Sequence, residues 1–186
     1  MRPRLRRDSW KSTLLRPMVP APLYPWLTHR GSLTARLKAH CSRFQVKVLR
    51  QGLGLPLKDE RDLLGLHQGE LAWIREVLLC DGETPLVFAH SVLPRAHVRG
   101  AWNLFAGLGA RPLGEALFTD ARVARQALHF KTLSARHPLY RRMRSDPDIA
   151  NVATHAFHFS ARRSLFYRRG RSLLVTEVFL GQTAPF

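Results

Sequence analysis

The sequence predicts an α+β fold, an antiparallel sheet covered by helices, and three observations carry that expectation. "LAWIREVLLC" and "PLVFAHSVLP" flank Asp81-Gly82, a dipeptide suited to a tight turn with positive φ. "ARRSLFYRRGRSLLVTEVFL" reads as a second hairpin that turns near Arg169-Gly170. Short helix-patterned stretches join these hairpins, which argues for an antiparallel sheet with helices on one face. At 186 residues and 45% hydrophobic residues, the chain can bury one core. The expected organisation is a loosely ordered N-terminal tail over 1–20, with Trp10 as its anchor, and one domain over 21–186.

Along the chain, "GSLTARLKAHC" reads as a helix, because Ser32 can cap it and Leu33 and Leu37 share a face. "FQVKVLR" alternates Phe44, Val46 and Val48 with polar residues, the period of a half-buried strand. "GLGLPLKDERDLLGL" is a connection punctuated by Gly and Pro, with one helical turn. The hairpin around Asp81-Gly82 follows. "GAWNLFAGL" reads as a helix, and "GARPLGEALF" as a loop feeding a short helix at Gly114 or Glu115. Residues 120–145 stay open: Leu128 and Phe130 alternate as in a strand, whereas the Ala and Arg content suits a helix.

The chain carries 30 Lys+Arg against 13 Asp+Glu, a formal charge of +17. Such a field attracts anions and speeds their encounter. The arginines occur in pairs among apolar residues, without the basic tract and exposed aromatics of a nucleic-acid surface. No run approaches the roughly 18 apolar residues of a membrane span, and the basic N-terminus lacks the apolar core of a secretory signal. Cys41 and Cys80 are the only cysteines. Cys80 falls in an apolar strand, so a buried free thiol is expected, which suits the cytoplasm.

Residues i and i+2 of a strand share a face. Leu71, Trp73, Arg75, Val77 and Leu79 therefore form one row; Leu173, Val175, Glu177 and Phe179 form another. Each row is apolar except for one ionisable residue, and burying a charge costs several kcal/mol on the order of the desolvation penalty. Two readings compete. Either Arg75 and Glu177 are paired structural charges, or both project into a pocket, Arg75 as a bidentate carboxylate anchor and Glu177 facing a hydroxyl or acting as base. His155 and His158 are spaced like metal ligands but have no acidic or Cys partner near them, so an aromatic structural segment is the better reading. "GLGARPLG" lacks the frame of a dinucleotide loop and reads as turn chemistry.

"WIREVLLC-DGETP", "FAHSVLP", "LGARPLGEALF", "ARRSLF" and "LLVTEVFL" stand in the order and spacing of the chorismate pyruvate-lyase family, which this sequence resembles over roughly residues 24–182. The resemblance implies an antiparallel sheet of about six strands, with helices and flap segments enclosing a buried ligand pocket. It implies a lyase that removes pyruvate from chorismate and leaves 4-hydroxybenzoate for ubiquinone synthesis, without metal or organic cofactor. It implies a monomer acting on small molecules in the cytoplasm, with no nucleic-acid partner and no integral membrane segment. By the same resemblance, Arg75 and Glu177 are the catalytic pair, with Arg75 on the ring carboxylate and Glu177 on the ring hydroxyl. Leu113 offers its backbone to the carboxylate and Leu33 an apolar wall. His90 stands at a ligand position where some members carry Arg, and Arg162 or Arg163 is the alternative for the enolpyruvyl carboxylate. A non-catalytic sensor of aromatic carboxylates with the same fold is the rival reading; the absence of a helix-turn-helix segment speaks against it.

Overall fold

The computed structural model describes residues 9–105, 107–152 and 156–181. Its strands are β1 (Phe44–Gly54), β2 (Ala72–Asp81), β3 (Thr84–Pro94), β4 (Val123–Arg125), β5 (His129–Ser134), β6 (His158–Arg168) and β7 (Arg171–Phe179). Its helices are α1 (Tyr24–Leu27), α2 (Leu33–His40), α3 (Lys58–Leu64), α4 (Leu113–Thr119), α5 (Pro138–Arg144) and α6 (Pro147–Val152). All seven strands join one antiparallel sheet in the order β1-β2-β3-β7-β6, and β4 and β5 pair with successive stretches of the outer edge of β6.

Two turns fix the registers. Arg169 and Gly170 both hold positive φ, 51° and 70°, the backbone twist that a two-residue hairpin loop needs. Counting back from that turn sets Arg162 directly across from Glu177. In the other hairpin Asp81 pairs with Thr84, so the turn residues are Gly82 and Glu83, one position beyond the expected dipeptide. Gly82 alone takes positive φ there. Asp81 instead accepts the Arg43 N–H at 2.7 Å, tying the start of β1 to the end of β2.

Helices cover both faces, not one. The reason lies in β2, β3 and β7, whose two side-chain rows are both apolar. One row packs Leu78, Phe88 and Val178 against Leu139 and Met143 of α5 and Ile149 of α6. The other packs Val77, Leu79, Val87 and Phe179 against Trp26 and Leu27 of α1 and Leu33 and Leu37 of α2. Full burial of each such side chain contributes about 1.5–3 kcal/mol.

Other expectations shift in detail. The strand expected over Phe44–Arg50 runs on to Gly54, with a bulge between Val48 and Arg50. The single helical turn expected next is α3, closed by Gly65 at φ 68°. Among its described residues the "GAWNLFAGL" stretch holds no α-helix but turns and one 3-10 turn, Asn103–Phe105. Trp102, Phe105 and Leu108 recur every third residue and are buried, which a tighter 3-10 winding satisfies. Residues 120–145 resolve into β4, β5 and α5.

Within the expected tail, Lys11 exchanges both backbone hydrogen bonds with Phe130, Trp10 donates to Asp59 at 2.9 Å, and Val19 is buried. Cys41 and Cys80 are free thiols, and burial pushes that of Cys80 up to about 11. Among the described residues no helix is long and apolar enough to cross a membrane, and no group of His, Cys, Asp and Glu could hold a metal ion. His155 lies outside the described residues; His158 opens β6.

Candidate active site

The sheet face under α2 and α4 carries one small cavity, of about 40 Å³. Val77, Leu79, Ala89 and Val175 form its floor, while Leu33 and Thr34 of α2 and Leu113, Leu117 and Phe118 of α4 form its roof. Four ionisable groups line it: Arg75 from β2, Glu177 from β7, Arg162 from β6 and Arg125 from β4. Alternation along the strands places them there. Arg75, Glu177 and Arg125 share their rows with apolar neighbours and Arg162 shares its row with Ser160, Ser164 and Phe166, so each guanidinium or carboxylate is carried to this face.

Arg75 is 2% exposed. It donates through Nη1 to Gln51 Oε1 at 2.7 Å and Gly109 O at 2.9 Å, and through Nη2 to Arg111 O at 3.1 Å. Burial holds its pKa below the usual guanidinium value. The cation thus meets neutral oxygens only, two of them backbone carbonyls of the loop that leads into α4. Arg75 and Glu177 line the same cavity, yet they do not pair with each other.

The partner of Glu177 is Arg162. Its Nε donates to Glu177 Oε2 at 2.5 Å, across the register that the Arg169-Gly170 turn dictates. Arg162 Nη1 donates further to the carbonyls of Trp26, Leu27 and His29, at 2.8, 3.2 and 2.7 Å. One fully buried cation therefore fixes the Glu177 carboxylate and ties the end of α1 to the sheet. Glu177 Oε1 accepts no hydrogen bond among the described residues. Arg125 donates to Ser164 Oγ at 2.7 Å and Arg30 O at 2.8 Å. Its guanidinium lies 5.5 Å from the Phe118 ring and 5.4 Å from that of Phe166. Burial pulls its pKa down to about 10, with Arg162 adding to the fall and Glu177 opposing it. It stays charged at neutral pH.

The roof fits closely. A Cβ on Gly114 would come within 2.6 Å of Thr34 Oγ1, so glycine is what lets α4 approach α2. Lys38 and Glu115 pair at 2.5 Å across the same two helices. Leu113 opens α4, whose first-turn N–H groups have no intrahelical acceptor, and the preceding Pro112 supplies no side-chain cap to them. About 40 Å³ is room for water and far below the roughly 300 Å³ or more of a ligand pocket. A ring needs more room than α2 and α4 leave here.

Comparison with known proteins bears on this arrangement. The family model described as chorismate lyase matches residues 5–186. The chain belongs to the chorismate lyase family. Among curated relatives, the probable chorismate pyruvate-lyase of Aromatoleum aromaticum is 52% identical over 180 residues, covering 97% of this chain and 96% of that protein. That of Thiobacillus denitrificans is 47% identical over 162 residues, 87% of this chain and 84% of the other. Among solved structures, the PhnF C-terminal domain superposes with a TM-score of 0.55 at 15% identity, covering 81% of this chain and 91% of that one. A GntR-family transcriptional regulator from Bacillus cereus gives 0.54 at 13% identity, with 78% and 96% covered. At such identities the likeness is one of fold.

Of the positions the chorismate lyase resemblance marks, Arg75, Glu177, Leu113 and Leu33 come together around the cavity. His90 does not. It points to the opposite face, fully buried, with Nδ1 3.0 Å from Glu76 Oε1 and Nε2 3.0 Å from Glu60 Oε1. Alternation decides this, because Ala89 and Ser91 take the cavity side of β3. Arg163, one of the two alternatives, also lies on that far side, bound to Asp59 at 2.8 Å and stacked 4.3 Å from the Trp10 ring. Sequence reasoning missed Arg125 altogether and did not see Arg162 as the partner of Glu177. The second was recoverable by counting residues back from Arg169-Gly170; the first was not, because a strand of three residues leaves too short a pattern.

Proposed function

We infer that this chain removes pyruvate from chorismate and leaves 4-hydroxybenzoate, the step that commits the aromatic ring to ubiquinone. One observation carries the site assignment: Arg75 and Glu177 line one cavity from strands two places apart in the sheet, with apolar side chains between them. Neighbouring strands lie about 4.8 Å apart, so the two rows are roughly 10 Å apart. A ring with a carboxylate at one end and a hydroxyl at the other fits between a cation and an acceptor so placed.

Arg75 takes the ring carboxylate through the donors it does not give to the loop carbonyls, with the Leu113 N–H beside it. Glu177 Oε1 accepts the ring hydroxyl, while Oε2 stays with Arg162 and holds the carboxylate in place. The elimination breaks the ether bond to the enolpyruvyl group and removes the hydrogen on the hydroxyl-bearing carbon. The electrons of that C–H bond complete the aromatic ring. The proton ends on the enolpyruvyl methylene, which gives pyruvate, so atoms balance without a co-reactant. The protein's part is to hold one reactive conformer and exclude water. Leu33, Leu113 and Val77 supply the dry walls. Action as a monomer belongs to this reading, and the two free thiols support a cytoplasmic setting.

The decisive experiment incubates the protein with chorismate and separates the products. 4-Hydroxybenzoate and pyruvate are expected in equal amounts; a 3-hydroxy isomer would move the chain to another class of chorismate-processing enzyme. For the anchor, Arg75→Ala is expected to weaken 4-hydroxybenzoate binding about 10- to 100-fold, the loss of a charge-assisted pair of hydrogen bonds. Unchanged affinity by calorimetry would contradict the assignment of Arg75.

A further inference from the structure

The lyase reading gives each end of the ring a partner but leaves the substrate's second carboxylate, on the enolpyruvyl arm, with none. The cavity's charges do not balance either. Arg75, Arg125 and Arg162 face it against the single carboxylate of Glu177. Two positive charges in excess, Arg75 buried and Arg125 half-buried, are costly unless anions arrive to meet them. A dianion matches that excess and a monoanion does not.

The chemistry of the arm says where its carboxylate must lie. The ether is on the carbon next to the hydroxyl-bearing one, so it sits on the Glu177 side of the ring, away from Arg75. On one flank of Glu177 the cavity is lined by Ala89, Ser91 and Val77, which carry no charge. The other flank is β6 and β4, with Arg162 and Arg125. Both guanidinium groups have donors to spare. Arg162 Nη2 is buried and has no hydrogen-bond partner among the described residues. Arg125 uses Nε on Ser164 and Nη1 on Arg30, and its Nη2 makes no hydrogen bond among the described residues. Phe118 and Phe166 hold the plane of Arg125.

We propose that Arg125 and the free Nη2 of Arg162 form a second anion subsite, which binds the enolpyruvyl carboxylate and makes the pocket selective for a dianion. The proposal rests on the lyase reading and adds a specificity residue to it, Arg125. It also gives the two products different fates. Pyruvate leaves with the charge that Arg125 held, whereas 4-hydroxybenzoate keeps its own contacts with Arg75 and Glu177.

The test compares two ligands on wild type, Arg125→Gln and Arg125→Lys by calorimetry. One ligand is 4-hydroxybenzoate, a monoanion. The other is 3-carboxymethoxy-4-hydroxybenzoate, an unreactive aromatic dianion that carries its second carboxylate through an ether beside the hydroxyl. In Arg125→Gln the dianion is expected to bind at least tenfold more weakly and KM for chorismate to rise at least tenfold, while 4-hydroxybenzoate affinity stays within twofold. Equal weakening of both ligands, or no change in either, overturns the proposal. Should Arg125→Gln fail to fold, Arg125→Lys decides by the same split, since it keeps the charge but loses the planar fork. The calorimetry needs no turnover, so a wild type that released no pyruvate would sink the lyase reading and leave the subsite result standing by itself.

Discussion

Glu177→Gln is expected to lower turnover at least a hundredfold while 4-hydroxybenzoate affinity stays within about threefold of wild type. Glutamine keeps an oxygen that can accept from Arg162 Nε and one polar end toward the ring hydroxyl. It loses the negative charge and the capacity to take a proton. A positioned carboxylate that assists proton removal contributes roughly 10²–10⁴ in rate, so the loss should appear in kcat. Product binding depends on hydrogen bonds that the amide retains in part, and on the Arg75 contact two strands away. Arg162 still donates to three backbone carbonyls, so the scaffold survives the change and a circular dichroism spectrum should match wild type. Pyruvate release measures turnover, and calorimetry measures affinity. Near-normal turnover in a variant that binds product would remove any role for the Glu177 charge and leave only orientation of the hydroxyl.

The residues of this site were unequally legible in the sequence. Arg75 and Glu177 stood out because each interrupts an otherwise apolar row, and a row is a local property of one strand. Their partners are not local. Gln51 and the carbonyls of Gly109 and Arg111 reach Arg75 from an edge strand and a loop, and nothing in the period of β2 points to either. The Glu177–Arg162 pair occupies a middle position, since a two-residue turn fixes the register between two strands. The same reasoning worked for the α+β class, where hairpin turns and alternation agree. It failed for helix placement on one face, because a strand apolar on both rows does not say what covers the second row. The "GAWNLFAGL" stretch misled for another reason. Apolar residues three apart suit an α-helix and a 3-10 turn alike, and only packing against the sheet, with Trp102 Nε1 bound to Arg171 O at 3.0 Å, selects between them.

His90→Ala is expected to destabilise the fold by about 3–5 kcal/mol, the range for removing one partner of a buried ion pair, while leaving 4-hydroxybenzoate affinity within threefold of wild type. His90 is fully buried between Glu60 and Glu76, and Arg142 joins Glu76 at 2.9 Å. Burial by itself would lower the imidazole pKa; the two carboxylates outweigh it and raise the value to about 10. A group whose folded pKa exceeds its unfolded value near 6.5 adds its full stability below that value and loses it as pH rises through the folded pKa. Wild-type stability from this cluster is therefore expected to decline between pH 6.5 and about 10. In the alanine variant this imidazole-linked decline is lost. Thermal melts across pH 5–10 measure both trends, and a loss of this size corresponds to a shift on the order of 10 °C. A pH-independent shift of less than 2 °C would show that the imidazole is neutral in the fold. A fall in ligand affinity as large as that of Arg75→Ala would return His90 to the pocket side, against the alternation of β3.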